Sequence, residues 1–314
     1  MKNTLRKYRK TITNLLKLVF IFGAILFIVR KIGENENSIS FLERIFEKTD
    51  ISILLFFSLL QITMSGGNWF FEFKKWKFLT KNIREISFFE SIKQSLASLT
   101  ISIITPNRIG EYGAKALFYE KENQKQILYL NFLGNFSQLV ITSIFGFFGL
   151  VFLWRNFPEF FEIFNATIIG ILLCFLILII GVLVWKKDKI PAFLNSKKFY
   201  QTCGFAFVRY LFFSHQFYFF LQFFQVEINY FDAMLSISSM YLISSVIPSI
   251  AIFDWALKGS IAVLIFTLFE VNSLVIITVS FMMWFLNFAI PTLIGCIFVF
   301  SMPTKFQFKP KINS

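Results

Sequence analysis

Histidine is almost missing from this chain: His215 stands alone among 314 residues. Imidazole-based metal centres draw on several ring nitrogens at fixed spacings, so a single histidine excludes them. Cysteine is nearly as scarce. Cys174, Cys203 and Cys296 each fall in or beside an apolar run, without ligand spacing or a partner motif, and read as free, buried thiols. No metal or other cofactor is implied. A Gly-rich phosphate loop and a nucleophile elbow are both missing, which removes the common routes to nucleotide and ester hydrolysis. Charged residues make up 16% of the chain, below the roughly 25% of an ordinary soluble domain. No series of segments alternates apolar and polar residues as barrel strands do, so a transmembrane β-barrel is excluded too.

What the chain has in abundance is apolar surface: 56% hydrophobic residues, 47 of them Phe, and a mean hydropathy of +0.66. Its apolar runs approach or exceed the roughly 20 residues that cross a bilayer as a helix, and helices are the only open-ended structures that satisfy their backbone there. The fold class is therefore an all-α polytopic membrane protein, one integral membrane domain over residues 1–314. A net charge of +13 would suit nucleic acid, but the basic residues sit in short clusters between apolar runs, where they report topology. Met1 to Val29 starts basic and turns apolar as a signal peptide does. Phe27-Ile28-Val29-Arg30 offers no small-residue cleavage site, so the segment reads as a retained helix.

One segment is written twice. Phe89 to Pro106 recurs 142 positions later as Phe231 to Pro248, with aromatic, acid, Ile-Ser and Pro at matching offsets. Behind each proline stand an acid, an aromatic and a lysine four past the acid: Glu111, Tyr112 and Lys115, then Asp254, Trp255 and Lys258. Lys2, Arg6, Lys7, Arg9 and Lys10 place the N-terminus in the cytoplasm. Were Phe89 to Pro106 a single crossing, the cluster Lys186, Lys187, Lys189, Lys197 and Lys198 would fall outside. The consistent solution makes Ser91 to Phe118 a re-entrant hairpin from the cytoplasmic side, broken at Pro106. Ala233 to Phe269 is then a second hairpin from outside, broken at Pro248. Six spans complete the arrangement: Thr13–Val29, Ile51–Phe73, Ile127–Leu153, Ala166–Trp185, Phe205–Phe224 and Asn272–Phe300. The first repeat covers 51–153 and the second, inverted, 205–300, with both termini cytoplasmic. Inverted repeats around broken helices are a transporter construction, with substrate near the midplane.

Broken helix ends expose amides and positive partial charge. A phosphate or carboxylate would be met by Arg108 and the amides at Asn107, and by Ser249 behind the second break. The plainer reading has Asn107 and Ser249 as caps, with Glu111 and Asp254 complementing the dipole. Glu111 with Lys115 and Asp254 with Lys258 stand in the acid-first i,i+4 order, and pairing alone offsets the roughly 2.5–3.5 kcal/mol of a lone charge at a helix centre. Their repetition points further, to a shared cavity. Arg209 and Gln216, seven apart, lie on one face of the fifth span. An intramembrane Arg is a site candidate, against the alternative that it snorkels to the interface. His215 reads as a satisfied polar contact. Asn68 and Glu72 share a face, Gly66-Gly67 permits close packing, and Trp69 and Trp76 suit an interfacial belt.

Thr105-Pro106-Asn107-Arg108-Ile109-Gly110-Glu111-Tyr112-Gly113, with Ile247-Pro248-Ser249, Lys258-Gly259-Ser260, Asn68-Trp69 to Glu72 and Arg209-Tyr210 to Gln216, resembles the lysylphosphatidylglycerol synthase transmembrane family. These are flippase-like integral membrane proteins, also called uncharacterised protein family 0104. The resemblance covers nearly the whole chain and implies lipid translocation across the cytoplasmic membrane. The chain ends at Ser314 without the soluble aminoacyl-transferase domain of the bifunctional form, and its second hairpin lacks the Pro-Gly-Gly run common in that family. Synthesis of lysylphosphatidylglycerol is not expected.

The sequence thus predicts a lipid flippase or lipid transporter, not an enzyme, moving a phosphate-bearing or aminoacylated lipid. Its partner is a membrane lipid of phospholipid or polyprenyl-phosphate type. A lipid-modifying transferase and a second copy of the chain are compatible partners, and nucleic acid is not one. Two other classes stay open: a membrane scaffold presenting lipid to a glycosyl- or aminoacyl-transferase, and a membrane-embedded transferase using Glu111 or Asp254 as base.

Overall fold

The computed structural model describes residues 47, 49–103, 105, 107–159 and 196–300. The expected spans Thr13–Val29 and Ala166–Trp185, Cys174, Pro106 and the lysines beyond residue 300 lie outside them. Among the described residues the protein is all-helical, and four helical stretches are long and apolar enough to cross a membrane: Ile51–Thr80, Lys121–Asn156, Ala251–Phe269 and Ser273–Val299.

In chain order the helices are α1 Ile51–Thr80, α2 Phe88–Ile101, α3 Gly110–Ala116, α4 Lys121–Asn156, α5 Ser196–Phe223, α6 Tyr230–Val246, α7 Asp254–Phe266, α8 Ser273–Trp284 and α9 Ile290–Val299. Short 3-10 turns, Ala251–Phe253 and Thr267–Phe269, flank α7, and a π-helical segment, Phe285–Ala289, joins α8 to α9. Polar caps start α1, α2, α6 and α8. Asp50 accepts from the Ser52 amide at 2.8 Å, which holds its carboxyl below the ordinary value. Ser87 and Glu90 form a capping box at α2, Asn229 caps α6, and Asn272 caps α8. Ser87 and Asn229 stand at the same 142-residue offset as the repeat.

α1 shows what surrounds the protein. Its buried residues are Gln61, Ser65, Asn68, Glu72, Lys75, Trp76, Leu79 and Thr80, while Ile51, Phe56, Leu59 and Ile62 are exposed. Polar residues at helical spacing face inward and apolar ones outward. That inverts the pattern of a water-soluble helix and fits one in lipid. The same inversion corrects the expectation for cysteine. Cys203 is only partly buried and Cys296 is exposed, because in a membrane protein an apolar neighbourhood describes the outer surface as well as the core.

The helices pair in a two-fold pattern. α1 lies along α5; α4 lies along α6 as α9 lies along α2; α3 packs on α4 as α7 packs on α8. Exchanging α1–α4 for α5–α9 leaves the set unchanged. α1 and α5 are antiparallel: Phe78 meets Phe205, Glu72 meets Arg209, and Phe57 stacks on Phe223 with ring centroids 4.1 Å apart. Small residues let the copies approach. A Cβ on Gly295 would meet Leu96 O and Thr100 Oγ1, and one on Gly146 would meet Ser238 O and Leu242 Cβ. Leu96 and Ser238, and Thr100 and Leu242, are again related by the offset of 142. Each copy's last helix therefore presses a glycine onto the equivalent point of the other copy's broken helix.

Candidate functional site

α2 ends and α3 begins around a break, and α6 and α7 do the same one copy later. The two breaks touch. Asn107 N donates to Ser249 O at 2.9 Å, and Ser249 N donates to Asn107 Oδ1 at 3.0 Å. These are the residues directly behind Pro106 and Pro248, so repeat-equivalent positions meet each other. Asn107 and Arg108 both hold the left-handed conformation, with φ 47 and 56, a placement tolerated only where surroundings over-determine it. Neither Asn107 nor Ser249 caps its helix: Asn107 turns to the other copy, and Ser249 Oγ donates to Asp254 Oδ1 at 2.9 Å.

Beside this junction lies a cavity of about 420 Å³, within the size of small-ligand sites. Asn107, Arg108, Glu111, Arg209, Ser249, Asp254 and Lys258 all line it, as do Asn68, Trp69 and Glu72. Seven of the nine expected binding residues thus converge from three helices and two breaks. Lys115 and Gln216 stand behind the wall. Lys115 Nζ reaches Glu111 Oε1 at 2.7 Å and Asn131 Oδ1 at 2.8 Å, and lies 4.3 Å over the Trp76 ring. Gln216 Nε2 donates to Gln61 O at 3.1 Å, and its Oε1 accepts from Asn287 Nδ2 at 2.8 Å. Both hold lining residues in place and do not themselves border the cavity.

Arg209 does not snorkel. Its Nε donates to Asn68 Oδ1 at 3.0 Å and its guanidinium pairs with Glu72, because a carboxylate on the adjoining helix offers more than a distant interface. Glu72 is also 2.6 Å from Lys75 Nζ and 4.0 Å from Lys115 Nζ. Both acid–lysine pairs behind the breaks form, Asp254 Oδ2 lying 2.6 Å from Lys258 Nζ. Amides behind the first break are largely spent: those of Asn107, Arg108, Glu111 and Tyr112 donate to backbone carbonyls, and that of Gly110 to Thr105 Oγ1. An anion here would meet side chains, chiefly arginine, and not the amide cradle expected from the sequence. His215 has both ring nitrogens engaged, Nδ1 with Leu211 O and Nε2 with Tyr230 OH, and stays outside the cavity wall.

Three residues the sequence reading passed over complete the site. Lys75 stands three residues after Glu72, and that acid-then-lysine spacing was its available signal. Asn131, which meets Lys115, carries no motif. Asn287, the only side-chain amide within Ser273–Val299, takes Asn68 Nδ2 on its Oδ1 at 3.0 Å. α1 donates to two carbonyls of the π segment around it: Ser65 Oγ to Leu286 O and Trp69 Nε1 to Asn287 O. The expected interfacial belt therefore does not include these tryptophans. Trp69 faces the cavity and Trp76, 1% exposed, donates to Gln94 Oε1.

The chain matches no family model, no curated protein and no solved structure.

Proposed function

We propose that this protein is a lipid translocator of the cytoplasmic membrane, built of six spans and two re-entrant hairpins in inverted repeat, that passes an anionic head group through the cavity between its halves. One observation carries this reading: repeat-equivalent residues Asn107 and Ser249 bond to each other at the wall of a cavity charged from both copies. A site on the pseudo-two-fold junction of two antiparallel halves is reachable alternately from either side. The membrane lipid is the partner in this reading, and both termini are cytoplasmic. A membrane-embedded transferase would need one catalytic group, and duplicated acid–lysine pairs give it no advantage.

Reconstitution tests the function. With purified protein in liposomes and a fluorescent anionic phospholipid, leaflet exchange should be fast, and Arg108→Ala should slow it by about tenfold or more, the worth of a charge-assisted hydrogen bond. Exchange at the protein-free rate, or a variant as fast as the parent, sinks the translocator in favour of a lipid-presenting scaffold. The topology has its own check. Antiparallel α1 and α5 place Lys81 and Lys197 at one end and Glu227 at the other, so Lys81→Cys and Lys197→Cys should label together from the cytoplasm and Glu227→Cys from outside. Labelling of Lys81→Cys and Lys197→Cys from opposite sides contradicts the arrangement.

A further inference from the structure

The charges around the cavity discriminate between head groups. Each of three carboxylates has its own lysine one turn later: Lys75 lies 2.6 Å from Glu72, Lys115 2.7 Å from Glu111 and Lys258 2.6 Å from Asp254. Arg108 and Arg209 bring two further cations to the same carboxylates. They occupy the two ends of one chain of charges, Arg108 to Glu111 to Lys115 to Glu72 to Arg209, with Arg108 Nη2 at a looser 3.3 Å from Glu111 Oε2. Both arginines line the cavity, while Lys115 neutralises from behind. Among the described residues, five cations thus meet three carboxylates, a net excess of two positive charges at a cavity that both guanidinium groups line.

A net excess of positive charge along the wall costs free energy, and an anion that pairs with it offsets that cost. A cationic head group would add to it. Hydroxyl donors are also waiting. Ser95 Oγ and Ser280 Oγ border the same cavity from nearly buried side chains and have no partner among the described residues, nor does Arg108 Nε. Two guanidinium forks with hydroxyl donors suit the oxygens of a phosphate group carrying close to two charges.

We propose that the cavity selects a lipid whose head group ends in a phosphate monoester and rejects aminoacylated, cationic lipids. This deepens the translocator reading and rests on it. The test uses the full chain in liposomes with four probes: phosphatidic acid, phosphatidylmethanol, lysylphosphatidylglycerol and inorganic phosphate. Phosphatidylmethanol keeps the phosphate but caps it as a methyl diester, which removes one charge. Phosphatidic acid should cross at least about tenfold faster than phosphatidylmethanol, one charge-assisted contact's worth, and lysylphosphatidylglycerol slowest. Arg108→Gln, at a side chain 43% exposed and so tolerant of change, should erase the preference between the first two. Arg209→Lys, which keeps the partner of Glu72, should reduce it. Equal rates for phosphatidic acid and phosphatidylmethanol, or fastest crossing by lysylphosphatidylglycerol, overturn the monoester inference and leave the translocator standing. Passage of inorganic phosphate with no lipid moving overturns the lipid reading itself, as does the absence of any crossing.

Discussion

Glu72→Ala should cost about 3–5 kcal/mol of folding stability, the range for removing one partner of a buried ionic cluster. Arg209, Lys75 and Lys115 all turn to this carboxylate, and the two lysines are almost wholly buried, at 2% and 1% exposure. Without Glu72 three cations compete for Glu111 in a region with little water. Glu72→Gln should recover only part of the loss, since it restores shape without charge. Asp254→Ala is the control: its pair with Lys258 is 28% and 37% exposed, and half-exposed pairs contribute on the order of 1 kcal/mol or less. Thermal unfolding of both variants in detergent, followed by tryptophan fluorescence, gives the comparison. Combining Glu72→Ala with Arg209→Met should cost less than the sum of the singles, because the second change removes a charge the first stranded. If Glu72→Ala costs no more than Asp254→Ala, water reaches the cluster freely and the charge count behind the monoester preference fails with it.

Gly149→Leu should be comparably damaging for a steric reason. A Cβ at Gly149 would lie 2.2 Å from Leu235 O and 2.4 Å from Ser239 Oγ, and a backbone oxygen inside α6 cannot rotate away. Even Gly149→Ala forces α4 and α6 apart, at a cost of about 1–3 kcal/mol. Gly66 and Gly204 lie in helices with nothing within 4 Å of an added Cβ. There alanine should stabilise by about 0.5–1 kcal/mol, because it restricts the unfolded chain without a clash. The opposite signs can be read from melting temperatures of the variants in one detergent. Tolerance of Gly149→Leu would mean that α4 does not press on α6.

Much of the site was legible because the sequence repeats itself. A proline followed five or six residues later by an acid, with a lysine four past that acid, occurs in two places and marks Asn107, Arg108, Glu111, Ser249, Asp254 and Lys258, and all six border one cavity. Local rules also held for Lys115, whose i,i+4 spacing from Glu111 predicts the pair that forms. The spacing could not say which side of the wall the lysine would occupy, since that depends on α4 bringing Asn131 to it. Asn287 was missed because a π turn, and not a sequence motif, rotates it toward α1. The amide cradle failed for a similar reason: in the folded break those N–H groups find carbonyls and Thr105 first.

By itself, then, the sequence determined the solvent, the helical class and the duplication, because apolar run length, charge spacing and internal identity are properties of the chain alone. The tertiary structure decided which charges share a carboxylate, which residues face the cavity, and that the two breaks bond to each other. Those outcomes depend on antiparallel helices meeting far apart in sequence, where a glycine's missing Cβ or one turn of π helix sets the register, and no local pattern encodes them.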